Sequence, residues 1–173
     1  RDDYDNPELY EKASWRHCLF MGGCTNVQIY GLTLTESGGD GMYLGSGPGR
    51  TPNRDIVING VTCDANYRQG ISVINAENLL IENTTLSNTR GTPPEAGIDF
   101  EPNDPAERLT NVVMRNCLST GNNASGYIVA VRALNVDSEP ISVRFEDCRS
   151  IDDGSVAAWV AVGERLPEAV KGA

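Results

Sequence analysis

A seven-residue pattern recurs five times along the chain and constrains the fold more than any other feature of the sequence. The copies are Asn26-Val27-Gln28-Ile29-Tyr30-Gly31-Leu32, Asp55-Ile56-Val57-Ile58-Asn59-Gly60-Val61, Asn78-Leu79-Leu80-Ile81-Glu82-Asn83-Thr84, Asn111-Val112-Val113-Met114-Arg115-Asn116-Cys117 and Ser142-Val143-Arg144-Phe145-Glu146-Asp147-Cys148. Each reads polar, apolar, variable, apolar, polar, Gly/Asn/Asp, small or apolar. Alternation puts the second and fourth positions on one face of a strand. The sixth position holds only residues that tolerate positive φ, which predicts a sharp left-handed bend there. Past the bend, Leu32, Val61, Thr84, Cys117 and Cys148 are predicted to point inward again, followed two residues on by Leu34, Cys63, Leu86, Ser119 and Ser150.

A second marker follows each copy: Gly41-Met42-Tyr43-Leu44, Gly70-Ile71-Ser72-Val73, Gly97-Ile98-Asp99-Phe100, Gly126-Tyr127-Ile128-Val129 and a degenerate Ser155-Val156-Ala157-Ala158. The four glycines stand 29, 27 and 29 residues apart. A near-constant period with variable inserts marks a solenoid. Helical patterns of about ten residues between strands, which an α/β fold needs, are absent, and a β-sandwich offers no reason for the period. The prediction is an all-β chain: a right-handed single-stranded parallel β-helix of about five coils over residues 16–160. Residues 1–15, with a turn around Pro7-Glu8-Leu9-Tyr10-Glu11-Lys12, are expected to cap the first coil, and residues 161–173 to leave the solenoid as a tail.

Composition narrows the function. At 173 residues the chain fits one domain. A net charge of −10 argues against a nucleic-acid partner, which needs clustered Lys and Arg. It also weighs against a polyanionic substrate unless a local basic groove offsets it. No run approaches the ~18 apolar residues of a membrane span, so no membrane partner is expected. The opening Arg1-Asp2-Asp3 has no signal-peptide character and reads as a processed form or a fragment. The five cysteines lack zinc-knuckle spacing, and their odd number does not suggest a disulfide framework, so they are expected to be reduced core residues.

The template resembles the coils of the pectate-lyase-like right-handed β-helix superfamily over residues 16–160. That fold hosts many activities, so the resemblance specifies architecture better than chemistry. It implies a carbohydrate-active protein, an extended carbohydrate as partner and a secreted or periplasmic location. In polygalacturonase-type hydrolases a catalytic Asp precedes a similar strand, and Asp40 in Gly38-Gly39-Asp40-Gly41 matches it; the Asp-Asp pair of the next coil is replaced here by Arg68-Gln69. In mannuronan epimerase and lyase relatives a Gly-Phe-Asp-Pro-His segment carries catalytic Asp and His. Asp99 aligns with that Asp, while Glu101 stands in the place of the His and Ala96 in that of a catalytic Tyr.

The candidate site lies on the Gly-apolar-x-apolar strands, whose odd positions are expected to face solvent: Tyr43, Ser72, Asp99 and Ile128, then Gly45, Ile74, Glu101 and Ala130. Asp99 and Glu101 share a face roughly 6.5–7 Å apart at Cα, and Asp40 lies two coils earlier, roughly 9–10 Å away. Carboxyls about 6.5–9.5 Å apart suit inverting glycoside hydrolysis, one as acid and one as base. Crowded carboxylates also raise one another's proton affinity. Asp99, Glu101 and Asp40 are therefore the candidate catalytic residues of a polysaccharide-degrading glycoside hydrolase, with Arg68, Tyr67, Tyr43 and Gln69 as candidate substrate contacts. Three alternatives stay open. One is a lyase or epimerase with Arg68 as base. Another is a non-catalytic glycan-binding or structural solenoid with a merely solvated acidic face. The last concerns calcium, for which Asp99, Glu101, Asn103 and Asp104 supply hard oxygen ligands; no other cofactor is implied. His17 in Trp15-Arg16-His17-Cys18 reads as structural. The sequons at Asn83 and Asn123 read as chance matches. The loop Gly45–Arg50 and the segments Asn88–Glu95 and Asn103–Glu107 are expected to wall a groove.

Overall fold

A computed structural model describes residues 1–11, 13 and 15–162. The chain runs through β1 (Leu19–Gly22), β2 (Thr25–Tyr30), β3 (Thr33–Thr35), β4 (Met42–Gly45), β5 (Asn53–Asn59), β6 (Thr62–Asp64), β7 (Ile71–Val73), β8 (Ala76–Glu82), β9 (Thr85–Ser87), β10 (Ile98–Phe100), β11 (Leu109–Arg115), β12 (Leu118–Thr120), β13 (Tyr127–Ala130), β14 (Val143–Glu146), β15 (Arg149–Ile151) and β16 (Ala158–Ala161). Every third strand pairs in parallel. The first sheet is β1-β4-β7-β10-β13-β16, the second β2-β5-β8-β11-β14 and the third β3-β6-β9-β12-β15. This is the β-helix that the repeat predicts. No described helix is long and apolar enough to cross a membrane.

Register follows the repeat. Val27, Ile56, Leu79, Val112 and Val143 are consecutive partners in the second sheet, as are Ile29, Ile58, Ile81, Met114 and Phe145. The inner copies Ile56, Ile58, Leu79, Ile81, Val112 and Met114 are buried. At the ends coverage is uneven: Ile29 is still buried, whereas Phe145 in the last described coil is 39% exposed and Leu32, past the bend of the first coil, is 43% exposed. The predicted bend holds in all five copies, with φ between 49° and 66° at Gly31, Gly60, Asn83, Asn116 and Asp147. Two further left-handed corners escape the sequence reading. One is the first template position itself (Asn26, Asp55, Asn78, Asn111). The other follows the third-sheet strands at Glu36, Ala65, Asn88, Gly121 and Asp152, where Glu and Ala carry no turn signature.

The Gly marker has a different cause. A Cβ on Gly70 would lie 2.5 Å from the Gly97 carbonyl oxygen, one on Gly97 2.6 Å from that of Gly126, and one on Gly126 2.9 Å from that of Ala157. Glycine is required because each coil presses its backbone on the next. That register also corrects the fifth copy, since Tyr127 pairs with Ala158 and Ala157 therefore stands where the glycine would be. Ala157 belongs to the last described coil, and among the described residues no further strand stacks on it. A sixth strand, β1, heads the same sheet with Leu19 opposite Met42, although its sequence has no marker glycine.

The N-terminal segment turns at Asp2–Asp5 and again at Pro7–Leu9, where the Leu9 and Tyr10 N–H groups donate to the Asn6 carbonyl, as the sequence predicts around Pro7. It lies along the corner after the third sheet. The Arg1 terminus donates to the Glu36 carbonyl and its guanidinium to that of Asn88, and the Asp5 carboxylate accepts from the Tyr67 hydroxyl at 2.6 Å. It thus straps three coils laterally. The expected tail from residue 161 lies, from 163 onward, outside the described residues, and β16 runs to Ala161.

All five cysteines are free. Burial pushes the thiol of Cys63 strongly upward and that of Cys117 up to about 11. Thiol titration is expected to find five groups after denaturation, with Cys63 and Cys117 unreactive until unfolding; three or fewer would contradict this.

Candidate active site on the outer face of the first sheet

Outward positions of the first sheet run Phe20, Tyr43, Ser72, Asp99, Ile128 and Trp159 across the coils. A cleft of about 500 Å³ opens over this row, lined by Trp15, His17, Phe20, Tyr43, Arg68, Ile74, Glu101 and Asn103. Its apolar wall is built from the strands. The rings of His17 and Tyr43 stack at 4.7 Å, and those of Phe20 and Tyr43 at 5.7 Å with planes 10° apart. Phe20 and Tyr43 lean over Gly22 and Gly45, where a Cβ would come within 3.1 Å and 2.7 Å of their respective rings.

The sequence expects Ser72 and Asp99 to face solvent. Instead they are 1% and 2% exposed, and Arg68 and Gln69 from the preceding corner fold over Ser72. Ser72 Oγ donates to Asp40 Oδ2 at 2.7 Å and accepts from Gln69 Nε2 at 2.7 Å and from Arg68 Nη1 at 3.3 Å. Arg68 Nη1 also reaches both Asp40 oxygens at 3.4 and 3.5 Å, and its Nη2 lies 3.9 Å from Glu101 Oε2. Arg68 therefore ties two carboxylates together over the strand. Asp40 is wholly buried, and its backbone N–H donates to His17 Nδ1 at 3.0 Å. Burial, reinforced by Arg68, lowers the His17 pKa to about 4, so the ring is neutral at pH 7. The 3.5 Å approach of Nδ1 to Asp40 is therefore no ion pair.

Burial pushes Asp40 up to about 6, against the pull of Arg68 and the Ser72 hydrogen bond. Asp99 moves further, to about 8, first through burial and then through the neighbouring Glu101 carboxylate. Its Oδ1 has no hydrogen-bond partner. Asp99 thus holds a proton at neutral pH beside Glu101, which borders the cleft with its side chain 36% exposed. A buried acid directly beside a second carboxyl differs from the separated pair expected for inversion.

These shifts fix a pH dependence. Asp99 and Asp40 have raised pKa values, so their contributions to stability are complete below about pH 4 and decline as pH rises, ending near 6 for Asp40 and near 8 for Asp99. His17 has a lowered value, and its contribution is lost only below pH 6.5. Between pH 6.5 and 8 Asp99 acts alone among these three. The melting temperature is expected to fall across that window in the native protein and to stay flat there in Asp99→Asn.

Two expected substrate contacts are corrected. Tyr67 is buried away from the cleft, packed against Tyr4 with its hydroxyl on Asp5. Gln69 is fully buried and holds Ser72, so it cannot meet a ligand directly. Tyr43 and Arg68 do line the cleft. The four oxygen ligands suggested for calcium are not brought together: Asp104 pairs with Arg50 at 2.8 Å, Glu101 faces Arg68 and Asp99 is buried. Among the described residues no group of three or more acidic, His or Cys side chains is placed to hold a metal. The loops Gly45–Arg50 and Asn103–Glu107 are latched by Glu107, which is 4% exposed. It accepts from Ser46 Oγ at 2.7 Å and from the N–H groups of Asn103 and Asp104 at 2.6 and 3.1 Å.

Trp15, Phe20 and Glu107 were absent from the sequence-based site. Extending the strand alignment one coil upstream would have placed Phe20 beside Tyr43; nothing local marks Glu107. The fold and this cleft together define a parallel β-helix protein with an acidic site on one sheet. A family profile described as "Right handed beta helix region" matches residues 11–165, and the chain belongs to that family. No curated protein and no solved structure matches it.

Proposed function

We propose that the cleft binds an extended carbohydrate and hydrolyses a glycosidic bond with the Asp99–Glu101 pair as its acid–base group. The observation that carries this reading is a buried carboxyl, Asp99, with an unpartnered Oδ1 beside Glu101 at the cleft edge, a setting that raises its proton affinity. A general acid needs its proton, and a pKa near the working pH maximises its transfer. In the reaction the pair protonates the leaving oxygen as the C–O bond breaks. Water adds to the anomeric carbon and returns a proton to the pair. Arg68 orients Glu101, and the aromatic wall supplies apolar contact for sugar faces. Asp40, bound by Arg68 and Ser72 and wholly buried, acts as a positioning residue.

A second reading, a glycan-binding module without catalysis, is favoured by the burial of Asp40 and Asp99. A panel of polysaccharides assayed for new reducing ends and for absorbance at about 235 nm separates the readings. Hydrolysis gives reducing ends alone, and an ultraviolet signal would replace it with elimination. Binding without either product would leave the non-catalytic reading.

A further inference from the structure

We infer that the cleft selects a neutral glycan and excludes polyuronates and other polyanions; this rests on the carbohydrate reading above and adds the charge class of its ligand. Among the described residues Arg68 is the only cation lining the cleft, and its donors already face Asp40, Ser72 and Glu101. The neighbouring cations are engaged as well: Arg16 donates to the Glu11 carbonyl and lies over the Tyr4 and Tyr10 rings. Arg50 pairs with Asp104 at 2.8 Å and lies 4.0 Å from Glu107, and Arg108 lies 3.9 Å from Glu77. His17 contributes no charge, since its Nδ1 accepts the Asp40 amide hydrogen. No local basic groove therefore offsets the net charge of −10.

An incoming carboxylate would meet Glu101 at the rim. To capture Arg68 it would have to draw the guanidinium away from Asp40, leaving a buried carboxylate without its partner, the costly way to break such a pair. A neutral sugar meets neither obstacle. Its hydroxyls can donate to Glu101, and its apolar face can lie against Tyr43, Phe20 and Trp15. Specificity here comes from built-in repulsion as much as from attraction.

The test uses matched polymers that differ only in charge: a polyuronate against its carboxyl-reduced form, and carboxymethylcellulose against hydroxyethylcellulose. Binding is measured by affinity electrophoresis and calorimetry at several salt concentrations. The neutral member of at least one pair is expected to bind tighter by a factor on the order of 10 at low salt. The gap should narrow as salt screens the repulsion. Glu101→Gln, checked for folding by its melting curve, should gain affinity for the anionic member. Tighter binding of the polyanion, weakened by salt, would overturn the charge selection while leaving carbohydrate binding intact. If the folded protein binds neither member of any pair, the carbohydrate reading itself fails, and this inference with it.

Discussion

Glu101→Gln is expected to lower the rate of glycosidic hydrolysis by a factor of about 10² or more, the ordinary share of general acid–base catalysis. The substitution keeps the shape of the side chain and removes both its charge and its proton exchange. Because the lost interaction belongs to the chemical step, the fall should appear mainly in kcat, with KM little changed. The fold should survive. Glu101 borders the cleft, and its removal relieves the carboxylate crowding that raises Asp99. The decline in melting temperature between pH 6.5 and 8 should therefore shrink in Glu101→Gln. Asp99→Asn should lose activity comparably, since it removes the stored proton directly. A large loss of stability with either variant would make the cluster structural. Unchanged turnover would show that neither Asp99 nor Glu101 takes part in catalysis.

The second large effect concerns the core. Ile81 lies in the middle coil of its file, fully buried between Ile58 and Met114. Ile81→Ala removes apolar contact on both sides, and a stacked backbone tied to its neighbours by parallel hydrogen bonds can relax little into the space. The expected cost is about 2–5 kcal/mol. For a chain of this size that lowers the melting temperature by roughly 4–20 °C. Phe145→Ala offers the contrast: it occupies the same file but is 39% exposed at the last described coil, so its cost should be clearly smaller. Equal effects at the two positions would mean that the file is not a continuous interior.

The repeat made the architecture legible because each template position serves the same physical task in every coil. Alternation gave the inward files, and Gly, Asn or Asp gave the bend. The marker glycines were visible too, although their cause, backbone pressed on backbone, emerges only when coils are stacked. Legibility failed where a corner is made by residues without a turn signature, or where a task lapses at the end of the stack. Ala65 and Glu36 adopt left-handed φ without the residue types that usually signal it. The fifth marker slipped by two residues because no described coil opposes Ala157, which stands where the glycine would be. The site was half legible. Period-two alternation placed Asp99 correctly on the outer face of its strand. It could not show that Arg68 and Gln69 fold back over that face onto Ser72 and Asp40, or that Asp99 is buried. Tyr67, adjacent in sequence to Arg68, points instead to the N-terminal strap, a partner separated by 62 residues.

The account rests on a proton held by Asp99 against Glu101 at neutral pH. Carboxyl carbon chemical shifts of the aspartate-labelled protein, followed from pH 3 to 10 in the native chain and in Asp99→Asn, test it directly. The account predicts one carboxyl titrating near pH 8 that disappears in the variant. If every aspartate titrates within the ordinary carboxylate range, at about 4 or below, Asp99 is ionised at neutral pH and the proposed acid–base site is contradicted.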